Sequence, residues 1–245
     1  MRREIRSWFS PNLQREMSVA LFGHFGYALL LFPTWSADHL EYERFGMIDA
    51  LRDFIEGGVV KVYCVDALND EIWMATQIPV AQRARRYLLL NRYFAEEVVP
   101  FIMEDCNGFV PIVTSGASMG ALHAVNQFFK HPDLYAGTVG MSGSYDLSER
   151  IEGDLFDENC YFNSPIHYIA NMNELLLEPF RQGKEIHFVC GQGEHENPAG
   201  SIRISNLLTH KGIPHTLDLW GTDIPHDWPS WHKMMRHYIG NVLFR

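Results

Sequence analysis

The sequence has none of the features that would place the chain in a membrane or in a disulfide-rich class. No run of about 18 apolar residues occurs, so no transmembrane helix is predicted. Residues 1–17 also lack the apolar stretch of about 7–15 residues that a signal peptide needs. The 4 cysteines form no C-x-x-C pair, which argues against a zinc or redox motif. We therefore expect a cytoplasmic protein with free thiols and no bound metal.

Positive charge is scarce as well. The chain has 20 Lys and Arg against 30 Asp and Glu, which gives a formal net charge of −10. A phosphate backbone would be repelled over most of such a surface. The one local exception, Arg83, Arg85 and Arg86, is typical of a solvated helix face. We expect neither nucleic acid nor a membrane as a partner, and a small molecule is the partner class that remains.

What the sequence does contain is a regular alternation of apolar runs and amphipathic stretches. Its 245 residues, 47% hydrophobic, are those of an ordinary globular protein, and we expect residues 1–245 to form one domain. Strands are predicted at residues 27–32, 59–65, 109–114, 137–141, 186–190 and 216–220. Helices are predicted between and after them, at residues 42–56, 81–103, 119–130, 200–210 and 227–242.

This alternation predicts a three-layer α/β fold, in which helices cover both faces of a mostly parallel sheet. Before the first parallel strand, residues 7–9 and 17–22 predict an antiparallel pair at the N-terminal edge. A second subunit could extend such an edge, so homo-oligomerisation stays open. Residues 145–184 break the alternation and are rich in Asp, Glu and Asn. They form either a small lid over a pocket or an irregular surface excursion.

The most informative motif is G-x-S-x-G at Gly116–Gly120, where an apolar strand meets an amphipathic helix. A nucleophilic serine needs this context, since it must sit on a sharp turn with its hydroxyl exposed. Ser118 is therefore the candidate nucleophile. The alternative is that the glycines only permit a tight turn and Ser118 only caps the helix. Ser142 and Ser144 follow a strand without the full motif, and we expect them to line the site or to satisfy backbone groups.

The base should follow the last strand, because the order in this arrangement is serine, acid, histidine. Of the 12 histidines, His226 lies in the loop after the predicted strand 216–220 and before a helix. His215, His232 and His237 fall at the start of that strand or within the helix, and packing or surface roles are expected for them. His226 is the candidate general base.

The acid should follow the preceding strand, where Glu194 and Glu196 flank His195. Either carboxylate could orient the imidazole and stabilise its charged form, and spacing does not choose between them. A metal site is not expected, because neighbouring side chains on a short loop point in different directions.

A developing oxyanion needs two backbone donors. The N–H of Met119, directly after the nucleophile, is one. The other should lie in the loop after strand 27–32. Pro33 has no N–H, so Thr34 or Trp35 must serve, and we favour Trp35.

Several stretches resemble the esterase branch of the α/β hydrolases, which includes esterase D and mycolyltransferase-like enzymes. They are Leu31-Phe32-Pro33-Thr34, Tyr63-Cys64-Val65-Asp66, Ser115 to Leu122, Tyr161-Phe162-Asn163-Ser164-Pro165, Gly191-Gln192-Gly193 with Glu196, and His226-Asp227-Trp228-Pro229-Ser230-Trp231. The resemblance implies the α/β-hydrolase fold and favours Glu196 as the acid. Relatives commonly have histidine-glycine in place of Pro33-Thr34, and this departure affects the second oxyanion donor.

The resemblance implies hydrolysis of carboxylic esters or thioesters through an acyl-enzyme, without a metal or organic cofactor, on a small-molecule ester substrate. Two alternatives stay open. The same triad could transfer the acyl group to an alcohol or a sugar, since the acyl-enzyme is shared. The chain could also be a binding module that keeps the fold without turnover.

Overall fold

The computed structural model describes residues 1–35, 37–151 and 156–244. Its eight strands are β1 (Arg3–Ser10), β2 (Arg15–Phe22), β3 (Tyr27–Phe32), β4 (Val60–Val65), β5 (Ile112–Ala117), β6 (Gly137–Met141), β7 (Glu185–Cys190) and β8 (Thr216–Leu219). They form one sheet in the order β1-β2-β4-β3-β5-β6-β7-β8. β1 with β2 and β2 with β4 are antiparallel, and all other neighbours are parallel. The predicted parallel sheet with an antiparallel N-terminal edge is confirmed.

Helices cover both faces of this sheet. They are α1 (Glu41–Arg44), α2 (Met47–Ala50), α3 (Arg52–Glu56), α4 (Val80–Tyr93), α5 (Val99–Asp105), α6 (Met119–Lys130), α7 (Glu158–Tyr161), α8 (Pro165–Asn171), α9 (Glu174–Leu177), α10 (Ala199–His210) and α11 (Trp228–His237). The cluster on one face contains Tyr87 of α4 and Leu122 of α6, and the cluster on the other contains Met47 of α2 and Met234 of α11. The three-layer prediction is confirmed.

The central strands consist mainly of apolar residues because both of their faces are covered. Every residue of β4 and of β5 is buried. Strand β5 starts three residues later than the run 109–114 predicts, and Phe109 is 82% exposed. The same strand continues to Ala117, so it ends directly before the candidate nucleophile. An apolar run therefore marks the strand but not its bounds.

Two predicted helices are interrupted. The stretch 42–56 is divided into α1, α2 and α3, and Gly46 between the first two has a left-handed φ of 80°. Glycine adopts this conformation readily, whereas other residues are strained there. The stretch 81–103 changes from α4 to α5 through a π-helical turn at Phe94–Val98. None of the helices in the described ranges has the length and apolar content needed to cross a membrane.

The excursion between β6 and β7 contains α7, α8 and α9, and its residues 152–155 lie outside the described residues. Its main polar anchor is Asn163, which is fully buried. The Asn163 Oδ1 atom accepts hydrogen bonds from Asn91 at 2.7 Å and from Lys130 at 2.6 Å. Burial lowers the pKa of Lys130 to about 8. The anchor ties the excursion to α4 and α6, while the lid role of residues 145–184 and the single domain over residues 1–245 stay predictions.

Candidate active site

Ser118 lies on the sharp turn between β5 and α6. Its φ and ψ are 55° and −116°, a conformation that is strained for a residue with a side chain. The two glycines allow the turn to close. A Cβ on Gly116 would lie 2.4 Å from the carbonyl carbon of Gly120, and one on Gly120 would lie 2.3 Å from the carbonyl oxygen of Phe32. The strand-to-helix turn is thus the arrangement that exposes a serine hydroxyl above the sheet.

His226 lies in the loop between β8 and α11. Its ring packs edge-on against Trp231, with the centroids 5.0 Å apart and the planes at 86°. Its Nδ1 atom is 2.9 Å from Oε2 of Glu196. A carboxylate can only accept, so Nδ1 carries the hydrogen and Nε2 is left as the basic nitrogen. The pair fixes both the orientation and the tautomer of the imidazole.

Glu196 is held from several sides, and its side chain has no exposed surface. Besides His226, its carboxylate accepts from Ser142 Oγ at 2.5 Å, from the N–H of Gly191 at 3.2 Å and from the Cys190 thiol at 3.4 Å. Burial alone would raise the pKa of Glu196. The hydrogen bonds from His226 and Ser142 and the proximity of His226 outweigh burial, so this pKa is lowered and the carboxylate stays charged.

Glu194, the other glutamate of the loop, contacts His226 through its backbone carbonyl, which accepts from the N–H of His226 at 3.0 Å. The Glu194 carboxylate lies 3.3 Å from Nε2 of His195, and both side chains are 80% exposed. His195 has a left-handed φ of 62°. The loop therefore turns between the two glutamates, and it is the carboxylate of Glu196 that lies beside His226.

Ser142 has a more specific role than the sequence indicated. It has a left-handed φ of 50°, its hydroxyl donates to Glu196, and it accepts a hydrogen bond from Nε1 of Trp231 at 3.1 Å. β6 lies between β5 and β7 in the sheet. A serine directly after β6 must then lie between the nucleophile and the acid, so the strand order was the signal that could have identified it.

The loop after β3 is held by a buried carboxylate. The N–H of Thr34 donates to Oε2 of Glu41 at 2.7 Å, and the Thr34 hydroxyl donates to Oε1. Burial raises the pKa of Glu41, and the hydrogen bonds from Thr34 oppose this effect. The Thr34 N–H therefore points towards Glu41, which disfavours it as an oxyanion donor.

The carbonyl of Thr34 is held by a buried chain of side chains. Asn69 Nδ2 donates to this carbonyl at 2.8 Å, His123 Nε2 lies 2.9 Å from Asn69 Oδ1, and Tyr87 Oη lies 2.7 Å from His123 Nδ1. Since the amide donates to Thr34, its oxygen must accept from His123 Nε2, and Nδ1 must accept from Tyr87. In a trans peptide the C=O and N–H groups point in opposite directions, so the N–H of Trp35 points away from Asn69.

Ser118 and His226 line the same cavity, whose volume is about 310 Å³. Its other described lining residues are Ser142, Gly143, Ser144, Glu149, His195, Asn197, Ala199 and Gly200. The structure thus brings Ser118, His226 and Glu196 to one end of the sheet. Met119 begins α6 beside this cavity, and Trp35 lies in the loop after β3.

The sequence matches a family model described as "Putative esterase" over residues 52–238. No curated protein matches the sequence at a significant level.

Solved structures with the same fold cover nearly the whole chain. A ferulic acid esterase superposes with a TM-score of 0.74 at 16% identity, covering 99% of both chains. The S-formylglutathione hydrolase FrmB from Staphylococcus aureus gives a TM-score of 0.68 at 13% identity and covers 97% of both chains. MPT51 from Mycobacterium tuberculosis gives 0.74 at 14% identity, covering 99% of this chain and 98% of that one. At these identities the structural likeness is one of fold.

Proposed function

Because the chain belongs to the Putative esterase family and is an esterase-type α/β hydrolase, we propose that it cleaves carboxylic esters or thioesters through an acyl-enzyme. Ser118 is the nucleophile, His226 is the general base and Glu196 is the acid that orients it. The observation that carries this proposal is the 2.9 Å contact between His226 and the buried Glu196, on a cavity that the strained Ser118 also lines.

In the first step the Oγ atom of Ser118 attacks the carbonyl carbon of the ester while His226 Nε2 accepts the hydroxyl proton. The negative charge that forms on the carbonyl oxygen accepts hydrogen bonds from the N–H groups of Met119 and Trp35. When the tetrahedral intermediate collapses, the bond to the leaving alcohol breaks and His226 gives its proton to that alcohol. Glu196 stabilises the imidazolium between these two events.

In the second step a water molecule attacks the acyl-Ser118 carbonyl and gives its proton to His226. The same two N–H groups stabilise the second oxyanion, and collapse releases the acid and restores the Ser118 hydroxyl. Trp35 is the proposed second donor because the peptide between Thr34 and Trp35 is oriented by Asn69, and because Glu41 engages the N–H of Thr34.

The test compares release of nitrophenol from p-nitrophenyl acetate, butyrate and octanoate by the wild type, Ser118→Ala and His226→Ala. We expect both variants to lose about 10⁴-fold or more in kcat, as members of a catalytic unit do. His210→Ala, an exposed histidine at the end of α10, is the matched control and should retain full activity. An intact-mass experiment should find one added acyl group on the wild type and none on Ser118→Ala.

Turnover by Ser118→Ala at the wild-type rate would refute the assignment of the nucleophile. Absence of turnover by the wild type on every ester and thioester, together with no labelling of Ser118 by a fluorophosphonate, would refute the hydrolase proposal itself.

A further inference from the structure

The cavity of about 310 Å³ lies on a defined side of the nucleophile. In the sheet, β3 lies on one side of β5, and β6 and β7 lie on the other. The oxyanion loop follows β3, whereas Ser142, Gly143 and Ser144 of the cavity follow β6. The cavity is therefore on the side of Ser118 opposite the oxyanion loop, together with His226. Since His226 must reach the leaving oxygen to protonate it, the leaving alcohol faces this cavity.

The described lining offers little to an alkyl chain. Apart from the candidate pair Ser118 and His226, it consists of residues no larger than serine (Ser142, Gly143, Ser144, Ala199 and Gly200) and of the polar residues Glu149, His195 and Asn197. An alkyl group placed here would remove water from polar groups without replacing the lost hydrogen bonds, which is unfavourable. A group with its own hydrogen-bonding atoms would replace them.

One corner of the cavity presents acceptors. The hydroxyl of Ser144 donates to Oε2 of Glu149, so its hydrogen is already used and its lone pairs remain. The Glu149 carboxylate can only accept. Arg203 forms only a longer ion pair with Glu149, at 3.8 Å, because its Nη1 atom is hydrogen-bonded to Asp146. A hydroxyl group of a substrate is the natural complement to this corner, and a carboxylate would be repelled.

We propose that this cavity binds the alcohol part of the ester and selects small hydroxylated alcohols, with Glu149 as the acceptor of the substrate hydroxyl and Ser144 beside it. The proposal rests on the proposed esterase function, since it assigns the alcohol side through the role of His226. It adds a substrate class and a specificity-determining residue that the catalytic triad does not imply.

Two acetate esters of nearly equal size test the proposal: 2-hydroxyethyl acetate and propyl acetate, which differ by a hydroxyl in place of a methyl group. Acid release is followed by titration at constant pH. We expect kcat/KM of the wild type to be roughly 10- to 100-fold higher for the hydroxylated ester, the size of one hydrogen bond to a charged group. In Glu149→Gln and Glu149→Ala the ratio should fall towards 1, because the hydroxylated ester loses its hydrogen bond to the carboxylate.

Glu178→Gln is the matched control, because it removes the same charge from a surface glutamate that is 62% exposed and paired with Arg181. It should retain the wild-type ratio. Acetoxyacetate, which carries a carboxylate in place of the hydroxymethyl group, should be a poor substrate of the wild type and should improve in Glu149→Gln.

Three outcomes would overturn the proposal while leaving the esterase function intact: equal kcat/KM for the two neutral esters, a preference that persists in both Glu149 variants, or a preference for acetylcholine over 2-hydroxyethyl acetate. The last would indicate recognition of positive charge without a hydrogen-bond donor. Failure of the proposed function looks different, because then p-nitrophenyl acetate is not cleaved either and Ser118 is not labelled by a fluorophosphonate.

Discussion

Glu196→Gln is the substitution that tests the candidate acid most sharply, because it keeps the shape of the side chain and changes only its hydrogen-bonding character. The carboxylate accepts from His226 and Cys190 on Oε2 and from Ser142 and Gly191 on Oε1. Glutamine replaces one of these oxygens with an NH₂ donor. In either orientation of the amide, a donor then faces another donor.

The two orientations have different costs. If the NH₂ group takes the position of Oε1, the N–H of Gly191 loses its acceptor, which costs about 1–3 kcal/mol for a buried donor. The Ser142 hydroxyl can rotate and so avoids this cost. With NH₂ towards Oε2, His226 needs only to move its proton from Nδ1 to Nε2. We therefore expect the second orientation, in which Nε2 is no longer a base for Ser118. The loss in kcat should be about 10³–10⁴-fold, the size seen when a triad acid becomes an amide and fixes the wrong tautomer.

The assay is hydrolysis of p-nitrophenyl acetate at pH 7.5, with kcat and KM determined separately. KM should stay within about threefold, because the substitution lies behind the imidazole and leaves the residues that line the cavity unchanged. Glu194→Gln, which alters the 80% exposed carboxylate of the same loop, is the control and should keep its kcat within about threefold. This reasoning would be refuted if Glu196→Gln kept more than a tenth of the wild-type kcat. It would also be refuted if Glu194→Gln lost more kcat than Glu196→Gln.

Three further predictions concern the supports of the site. In Asn69→Leu, the Thr34 carbonyl loses its hydrogen-bond donor. We expect kcat to fall by about 10–10²-fold with little change in KM, a smaller effect than removal of a whole oxyanion donor would have. An unchanged kcat would contradict this. The pKa of Lys130 falls to about 8 on folding, so between there and its ordinary pKa of 10.5 this residue holds more protons in the unfolded chain, and its own contribution to stability should rise with pH. In Lys130→Met this contribution is absent, so urea unfolding should show a larger free-energy difference between the wild type and the variant at pH 10 than at pH 8, in favour of the wild type; an unchanged difference would contradict the sign. In Gly120→Ala the added Cβ would lie 2.3 Å from the Phe32 carbonyl oxygen, so the free energy of unfolding should fall by about 3 kcal/mol or more; a loss below about 1 kcal/mol would mean that the turn can open.

The sequence predicted those parts of the fold whose signal is local. β3 and β6 occupy the residues predicted for them, because a strand covered on both faces is a continuous apolar run. The helix after Ser118 also begins and ends where its pattern does, at Met119 and Lys130. The break at Gly46, where the backbone has a left-handed φ, was not predicted.

The parts of the site that escaped prediction depend on contacts between distant residues. Glu194 and Glu196 are equivalent by spacing, and only the left-handed turn at His195 separates their directions. The bond between Ser142 and Glu196 joins residues 54 positions apart. The triad assignment and the oxyanion donors stay proposals that the experiments above address, and the lid role of residues 145–184 stays a prediction.

The hydrogen bonds behind the oxyanion loop all run in one direction, from Tyr87 through His123 and Asn69 to Thr34 and on to Glu41. Each member donates to the next, so replacing any single member leaves a neighbour without its match. We therefore expect these five residues to be substituted together in related sequences. A single substitution should reduce activity, and only coordinated substitutions should preserve it. Redesign of this loop for other substrates should therefore begin by varying the five hydrogen-bonded residues together. Libraries that vary one of the five at a time should contain few active variants.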